Sequence, residues 1–485
     1  MSDTRYEAVI GLEVHAQLLT NSKAFSPEGA LFGLDPNVQV DPVSLGHPGT
    51  LPTPNAEAVT FAARMGLATN CTIRERSIFA RKHYFYPDLP KGYQITQFDT
   101  PQCEDGYVDL TMDDGSTKRV GITRIHLEED AGKSIHDQDP YDSLIDYNRS
   151  SVALIEIVSE PDMRTPREAY RYLQKIRQIV RYLGICDGNM DEGSLRCDAN
   201  VSIRPVGQTE FGTRTEVKNM NSIRNVERAI EYEIERQTKV LESGGAVEQV
   251  TLLWDANKLE TREMRSKEGA HDYRYFPDPD LVTVVVDEAM LAHIRSGLPE
   301  LPAVRRARYT SELGLPDYDA GVLTEERELS DFFEATLSAA GAEHAKAVSN
   351  VVMSDVMKTM NERSMGIADL GISPERLAEL VVLRADDAVS STGAQTLFEM
   401  MLTSDESPRV LAEANDLLQV SDTGALTPIV DAVISENAGK VAAYQSGKKG
   451  LIGFFMGQVM QRFDGSPDPR IVRELLSARL DGDAG

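Results

Sequence analysis

Val152-Ala153-Leu154-Ile155-Glu156-Ile157-Val158 is apolar at every position but one. A short aliphatic run of this kind reads as a strand buried on both faces, because no polar side is left for water. Glu156 sits alone in it. A buried carboxylate is costly unless it is protonated, paired with a cationic side chain, or bound to a metal ion. The run itself leaves those three explanations open, a structural salt bridge being the ordinary one.

Two more strands carry the opposite signature. In Leu12-Glu13-Val14-His15-Ala16-Gln17-Leu18 the alternation is strict, so Leu12, Val14, Ala16 and Leu18 share one face and Glu13, His15 and Gln17 the other. Leu195 to Ile203 repeats the pattern, with Arg196, Asp198, Asn200 and Ser202 together. An antiparallel sheet ordinarily has one wet face. Here, however, that face bears Glu, His, Arg, Asp and Asn rather than Lys, Thr and Ser. His126-Leu127-Glu128-Glu129-Asp130 ends a further strand that begins near Val120 and supplies more oxygen ligands. Carboxylates and a histidine without cysteine favour a hard cation such as Mg2+ or Mn2+ over structural zinc. Among the histidines of the first 150 residues, His15 is the one with acidic company. Asp130-Ala131-Gly132-Lys133-Ser134 looks like the end of a phosphate-binding loop, but the first glycine that such a loop needs would fall on Leu127. No serine cluster, and no thiol with a local base, suggests a nucleophile.

Around these strands the first ~290 residues mix strands, helices and turns, and the remainder is dominated by helical periodicity. Thr165-Pro166-Arg167-Glu168 is a capping box with proline at the first helical position. It predicts a helix with Tyr170, Leu173, Ile176, Val180 and Leu183 on one stripe and a basic opposite face of Arg164, Arg167, Arg171, Lys175, Arg177 and Arg181. That face is either solvated or in contact with phosphate or an acidic partner. Asn221 or Ser222 caps a second helix with Val226, Ile230 and Ile234 inward. Gly297-Leu298-Pro299-Glu300-Leu301-Pro302 is a linker. The expected division is 1–295, 296–405 and 406–485.

The chain has 485 residues, 41% of them apolar. That composition excludes a largely disordered or fibrous protein. No apolar run approaches the ~18 residues of a membrane span, and the polar N-terminus lacks a signal-peptide core. Cys71, Cys103, Cys186 and Cys197 form no C-x-x-C pair, so neither a disulfide framework nor a cysteine zinc site is indicated. These features predict a cytoplasmic or matrix-like protein. The net charge of −27 argues against indiscriminate binding to nucleic acid or anionic membrane. It also suits solubility in concentrated salt. In the tail the balance reverses. From Lys440 to Gly485 seven basic residues face five acidic ones, 7 − 5 = +2.

The same stretches, together with Arg81-Lys82-His83-Tyr84-Phe85-Tyr86-Pro87-Asp88, Ile145-Asp146-Tyr147-Asn148-Arg149, Gly193 to Asn200 and Asp272-Tyr273-Arg274-Tyr275-Phe276-Pro277, resemble the B subunits of bacterial glutamyl-/aspartyl-tRNA amidotransferases. The resemblance runs from about Tyr6 to Leu480. It implies an α+β fold: a cradle domain of the glutamine-synthetase/guanido-kinase type with an antiparallel sheet, an all-α helical domain, and a small helical tail that grips tRNA. The implied activity is a ligase reaction. ATP activates the side-chain carboxylate of a mischarged Glu-tRNA(Gln) or Asp-tRNA(Asn), and ammonia from glutamine, delivered by a partner A subunit, displaces the phosphate. A small C subunit completes a heterotrimer. The family's Mg2+ ligands fall on His15, Glu129 and Glu156, with Glu13 and Glu128 as neighbours. Lys133, Arg196 and Arg274 are candidates for holding the phosphates of ATP, or are structural ion-pair partners.

In two places the chain departs from its relatives. Many relatives carry two zinc-binding cysteine pairs roughly where this chain has Ser26, Glu28, Asp41 and Ser44, so no zinc is expected. The family's usual proline is replaced by Ala153. A glutamine-synthetase-like small-molecule ligase and a non-catalytic tRNA adaptor are the competing readings.

Overall fold

The computed structural model describes residues 5–136, 138–264, 273–420, 422–463 and 465–482. Asp272 of the motif quoted above, and Asp464 and Asp483 of the tail charge count, lie outside the described residues. The chain forms two compact units, Met1–Leu301 and Pro302–Gly485.

In chain order the first unit contains β1 (Tyr6–Gln17), α1 (Ala56–Ala68), β2 (Thr72–Ile73), β3 (Arg76–Ser77), β4 (Ala80–His83), β5 (Tyr93–Thr96), β6 (Cys103–Thr111), β7 (Thr117–Glu129), β8 (Lys133–Ile135), β9 (Leu144–Asp146) and β10 (Ala153–Ser159). There follow α2 (Pro166–Tyr182), β11 (Leu195–Pro205), β12 (Thr215–Lys218), α3 (Ile223–Glu242), β13 (Thr251–Asp255), β14 (Glu260–Glu263), β15 (Phe276–Pro277), β16 (Val284–Val285) and α4 (Glu288–Ser296). One nine-stranded sheet, β14-β13-β12-β11-β1-β10-β7-β6-β2, dominates. Its described pairings are antiparallel except for β12 with β13.

The central order β11-β1-β10-β7 follows from the sequence pattern. β10 is buried along both faces, as its aliphatic composition requires, while β1 and β11 alternate. Leu12, Val14, Ile155, Ile157, Ile125, Leu127, Cys197 and Ala199 join one apolar core with residues of α1, α2 and α3. Each leucine, isoleucine or valine among them contributes about 1.5–3 kcal/mol on burial. In α1 a Cβ added to Gly66 would meet Ile73 at 2.5 Å and Cys103 Sγ at 2.6 Å, so glycine is what lets the helix lie this close to the sheet.

Helix α2 begins as the capping box predicts, with the Thr165 side chain accepting from Glu168 N. Leu173, Ile176, Val180 and Leu183 of the expected stripe are buried and Tyr172 and Ile179 widen it, whereas Tyr170 lies under the Arg167 guanidinium. The basic face is mostly engaged within the unit: Arg167 and Arg171 both pair with Asp113, and Arg177 donates to Gly188 O. Ser222 caps α3, and Val226 and Ile230 are buried as expected.

The second unit is helical, with α5 (Pro302–Ser311), α6 (Asp317–Leu323), α7 (Arg327–Ala340), α8 (Ala345–Val351), α9 (Met357–Arg363), α10 (Pro374–Ala385), α11 (Ser391–Met401) and α12 (Pro408–Ala414) around one hydrophobic cluster. A second cluster joins α13 (Thr423–Glu436), α14 (Ala438–Gln445), α15 (Ile452–Arg462) and α16 (Pro469–Leu480). No helix among the described residues is long and apolar enough to cross a membrane.

Candidate metal centre

Strand register assembles the site. Glu156 on β10 lies opposite His15 on β1 and opposite His126 on β7, and the period of two brings Glu128 to the same face. His15 Nε2 is 3.4 Å from Glu156 Oε2 and 3.8 Å from Glu128 Oε1. His126 Nε2 lies 3.6 Å from Glu128 Oε2 and 3.7 Å from Glu156 Oε2. Donor atoms of His15, Glu128 and Glu156 all lie within 4.8 Å of one another. Glu128 and Glu156 are buried, and His126 Nδ1 is buried without a hydrogen-bond partner.

In the electrostatics of the site, cationic neighbours keep both buried carboxylates ionised. Burial alone would raise the Glu156 carboxyl, but His126 and His15 hold it well below the usual carboxylate range. Burial likewise opposes ionisation of Glu128, and His126 and Lys82 together outweigh it. His15 resists the downward push of burial because Glu156 and Glu128 favour its charged form, so its pKa is raised. Among the described residues only Arg124, 3.9 Å from Glu156, comes within ion-pair distance besides the two histidines. Lys82 on β4 adds a longer-range attraction. Two ionised carboxylates and an imidazole whose donor atoms converge fit a hard divalent cation, whose binding would displace the histidine proton.

Glu129 does not belong to this group, which corrects the expectation that it is a ligand. Adjacent residues of a strand point to opposite faces. On its own side Glu129 accepts from Lys91 Nζ at 2.5 Å, from Ile95 N at 2.8 Å and from Ser151 Oγ. A carboxylate saturated in this way has no lone pair to offer a metal. Glu13 shares the face of His15 but sits in a second acidic set with Asp198 and Glu216. That set already contains a cation, because Lys218 Nζ lies 2.5 Å from Asp198 and 2.9 Å from Glu216. Burial, with Glu156 and Glu216 nearby, raises the Glu13 carboxyl.

The three basic candidates are dispersed. Arg196 is the register partner of His15, and its Nη2 donates to Asp130 Oδ2 at 2.7 Å while Nε is buried without a partner. Asp130 also accepts from Gln17 Nε2 at 2.7 Å. Lys133 is exposed on the β8–β9 hairpin, and Arg274 is exposed in left-handed backbone conformation with its carbonyl 3.2 Å from His83 Nδ1. Beside Glu13, on the same sheet face, lies a cavity of about 230 Å3 lined by Val9, Val158, Pro161, Asn200, Phe211 and Arg214, among others.

Sequence reasoning missed His126 and Lys82 as neighbours of the cluster. Strict alternation from Glu128 would have found the first; nothing local in the chain indicates the second. In the segment where no zinc is expected, Asp41 Oδ2 accepts from Ser26 Oγ at 2.9 Å and Ser44 Oγ at 2.5 Å, and Oδ1 from Val43 N at 2.8 Å. Glu28 instead accepts from Gly29 N.

In the tail, Lys449 pairs with Asp481 and lies over the Tyr444 ring, and Arg462 and Arg479 pair with Glu436 and Asp431. Among the described residues the charged groups of Lys448 and Arg473 have no counterion. A Cβ built on Gly450, Gly453 or Gly457 would meet nothing within 4 Å, so these glycines do not serve close helix packing inside the unit.

Comparison with known proteins agrees along the whole chain. Residues 8–292 match the family model described as the GatB/GatE catalytic domain, and residues 331–480 match the GatB domain. A Salinibacter ruber protein named as the B subunit of an aspartyl/glutamyl-tRNA(Asn/Gln) amidotransferase is 58% identical over 99% of this chain and 98% of its own. Proteins of the same name from Chlorobaculum tepidum and a Geobacter species are 56% and 52% identical, covering 98% and 99% of this chain and 99% and 100% of their own.

Proposed function

Because the chain belongs to the family of aspartyl/glutamyl-tRNA(Asn/Gln) amidotransferase B subunits, we propose that its first unit is a glutamine-synthetase-like cradle that activates the carboxylate of a mischarged aminoacyl-tRNA. The γ-phosphoryl of ATP passes to an oxygen of the Glu or Asp side chain, releasing ADP. Ammonia from the glutaminase A subunit then attacks the acyl carbon and expels phosphate, leaving the amide. A small C subunit completes the assembly in the cytoplasm. Full-length similarity to named amidotransferase subunits disfavours both a free-amino-acid ligase and a passive adaptor.

One observation carries the site assignment. Of the two acidic sets on this sheet face, the one built from His15, Glu128 and Glu156 has, among the described residues, no lysine within ion-pair distance, while the other holds Lys218. His15, Glu128 and Glu156 would hold Mg2+, which when bound neutralises phosphate oxygens and the charge that develops on them. His126 keeps the two carboxylates oriented. Asp130 fixes Arg196 beside His15, where its part-exposed guanidinium would meet a phosphate or carboxylate oxygen. The cavity beside Glu13 has the size and apolar lining for a nucleotide base. The exposed glycine face of α15, with Lys448 and Arg473, suits close approach of a tRNA backbone.

The deciding experiment measures ATP hydrolysis by the assembled enzyme with and without Glu-tRNA(Gln). Hydrolysis that depends on the charged tRNA is the expected result. Equal rates on free glutamate would transfer the protein to the small-molecule class. The isolated chain, lacking a nucleophile with a base, is expected to show no glutaminase activity.

A further inference from the structure

A cluster of aromatic rings stands beside the acidic site and has no part in the chemistry derived above. Phe98 and Tyr275 stack with centroids 4.0 Å apart and an interplanar angle of 4°. Tyr273 meets Tyr275 edge-on at 5.9 Å and Tyr84 at 6.3 Å. The rings are only partly covered, and Phe98 is 50% exposed. Core aromatics seldom leave so much flat apolar surface in water, and a pair of parallel rings is the surface on which a nucleobase stacks.

The position relative to the site narrows the occupant. Lys82 projects from β4 with its ammonium 5.1 Å from the centre of the Tyr273 ring, and its field is shared with Glu128, Glu156 and Tyr275. Among the described residues that ammonium makes no hydrogen bond and no ion pair. A ring platform, an uncommitted cation and a carboxylate pair therefore lie side by side. The substrate has the matching parts in the same order: a terminal nucleobase, the ribose that carries the ester with its adjoining phosphate, and the side-chain carboxylate that must reach the acidic site. An open platform suits a base at the end of a polymer, which arrives from solvent and leaves again. The cavity beside Glu13 is the more enclosed of the two and suits a free nucleotide.

We propose that the stacked rings of Phe98 and Tyr275 form the platform for the unpaired 3′-terminal nucleobase of the aminoacylated tRNA, with Lys82 facing the adjoining backbone or ester. The inference rests on the amidotransferase reading and adds to it the residues that position the acceptor end. Both rings act as binding surface and take no part in bond making.

The test uses the enzyme assembled with its partner subunits. Phe98→Ala combined with Tyr275→Ala is expected to raise KM for Glu-tRNA(Gln) about tenfold or more, the contribution of one stacked base, with KM for ATP unchanged. Phe98→Tyr and Tyr275→Phe, which keep the rings, should behave as wild type. Should the alanine variant assemble poorly, the second measurement is the fluorescence of 2-aminopurine placed at the tRNA 3′ end. Quenching on binding to wild type and to the ring-keeping variants, lost in Phe98→Ala alone or Tyr275→Ala alone, supports the platform. A shift in KM for ATP with none for tRNA would overturn the proposal by giving the platform to the free nucleotide, and unchanged KM values with undiminished quenching would make the rings structural. Absence of tRNA-dependent ATP cleavage in the wild-type enzyme would instead sink the underlying reading, so the two failures are distinguishable.

Discussion

Glu128 and Glu129 are neighbours in the chain, but the two sides of β7 give them opposite fates. Glu129 is closed by Lys91, Ser151 and the Ile95 amide, a buried ion pair with every acceptor used. Glu128 shares its space with Glu156 and two histidines and, among the described residues, has no lysine within ion-pair distance. The difference teaches that a carboxylate's availability for a ligand follows from its unmet partners rather than from its burial, since both residues are buried.

The largest expected effect tests the open side. Glu156→Gln should lower tRNA-dependent ATP cleavage by orders of magnitude, because the lost charge acts on phosphates, while tRNA affinity stays nearly intact. Folding stability should fall as well, since the ionised carboxylate is held by His126 and His15 and its loss leaves their charge unmet. Near-normal turnover at saturating Mg2+ would erase the distinction between the two sides.

Glu129→Gln tests the closed side and should fail in the opposite way. It strands the Lys91 ammonium in the interior, and a broken buried pair costs about 3–5 kcal/mol. Trp254, the single tryptophan, is buried in β13 and reports unfolding of the first unit by its fluorescence. A denaturation midpoint equal to wild type would contradict the buried-pair reading.

A smaller effect is expected at Asp41, which binds its loop with the same economy as Glu129 but nearer the surface. Burial pushes its carboxyl up, yet bonds from Ser44, Ser26 and Val43 win and hold it below the ordinary value. A depressed carboxyl stabilises the fold above its unfolded pKa of about 3.9 and loses that contribution as the pH falls through the lower folded value. Asp41→Asn should therefore cost about 1–2 kcal/mol near neutral pH and progressively less in acid. A wild-type-to-variant gap that widens on acidification would reverse the sign and refute the account.

The smallest effect carries the comparison of met and unmet partners to the tail. Removing residues 406–485 should weaken tRNA binding and flatten its salt dependence, by a log–log slope of about 0.7–0.9 for each phosphate no longer neutralised. Within the full assembly, Lys448→Ala with Arg473→Ala should flatten the slope more than Lys449→Ala with Arg479→Ala, whose charges already have partners. Binding titrations at two ionic strengths decide it, and equal slopes for the full-length and truncated forms would show that the tail does not grip tRNA.

Much of the fold was legible because period-two alternation and caps are local. β1, β10 and β11 lie where the pattern put them, and Thr165 and Ser222 start their helices. The buried stripe of α2 was misjudged at Tyr170 because helical spacing fixes a period and leaves the phase to whatever the helix packs on.

By itself the sequence determined that Glu156 stands alone in a buried strand and that Glu13 and His15 line the polar face of another, since side-chain direction along a strand is set by backbone geometry. Only the tertiary structure decided which of these groups meet. The order β11-β1-β10-β7 sets His15, Glu156 and His126 in register, draws in Glu128, and leaves Glu129 to Lys91 across the sheet. The physical reason is that pairing register and the approach of β4 and β5 are long-range events, so the partner that neutralises a charge comes from residues distant in the chain.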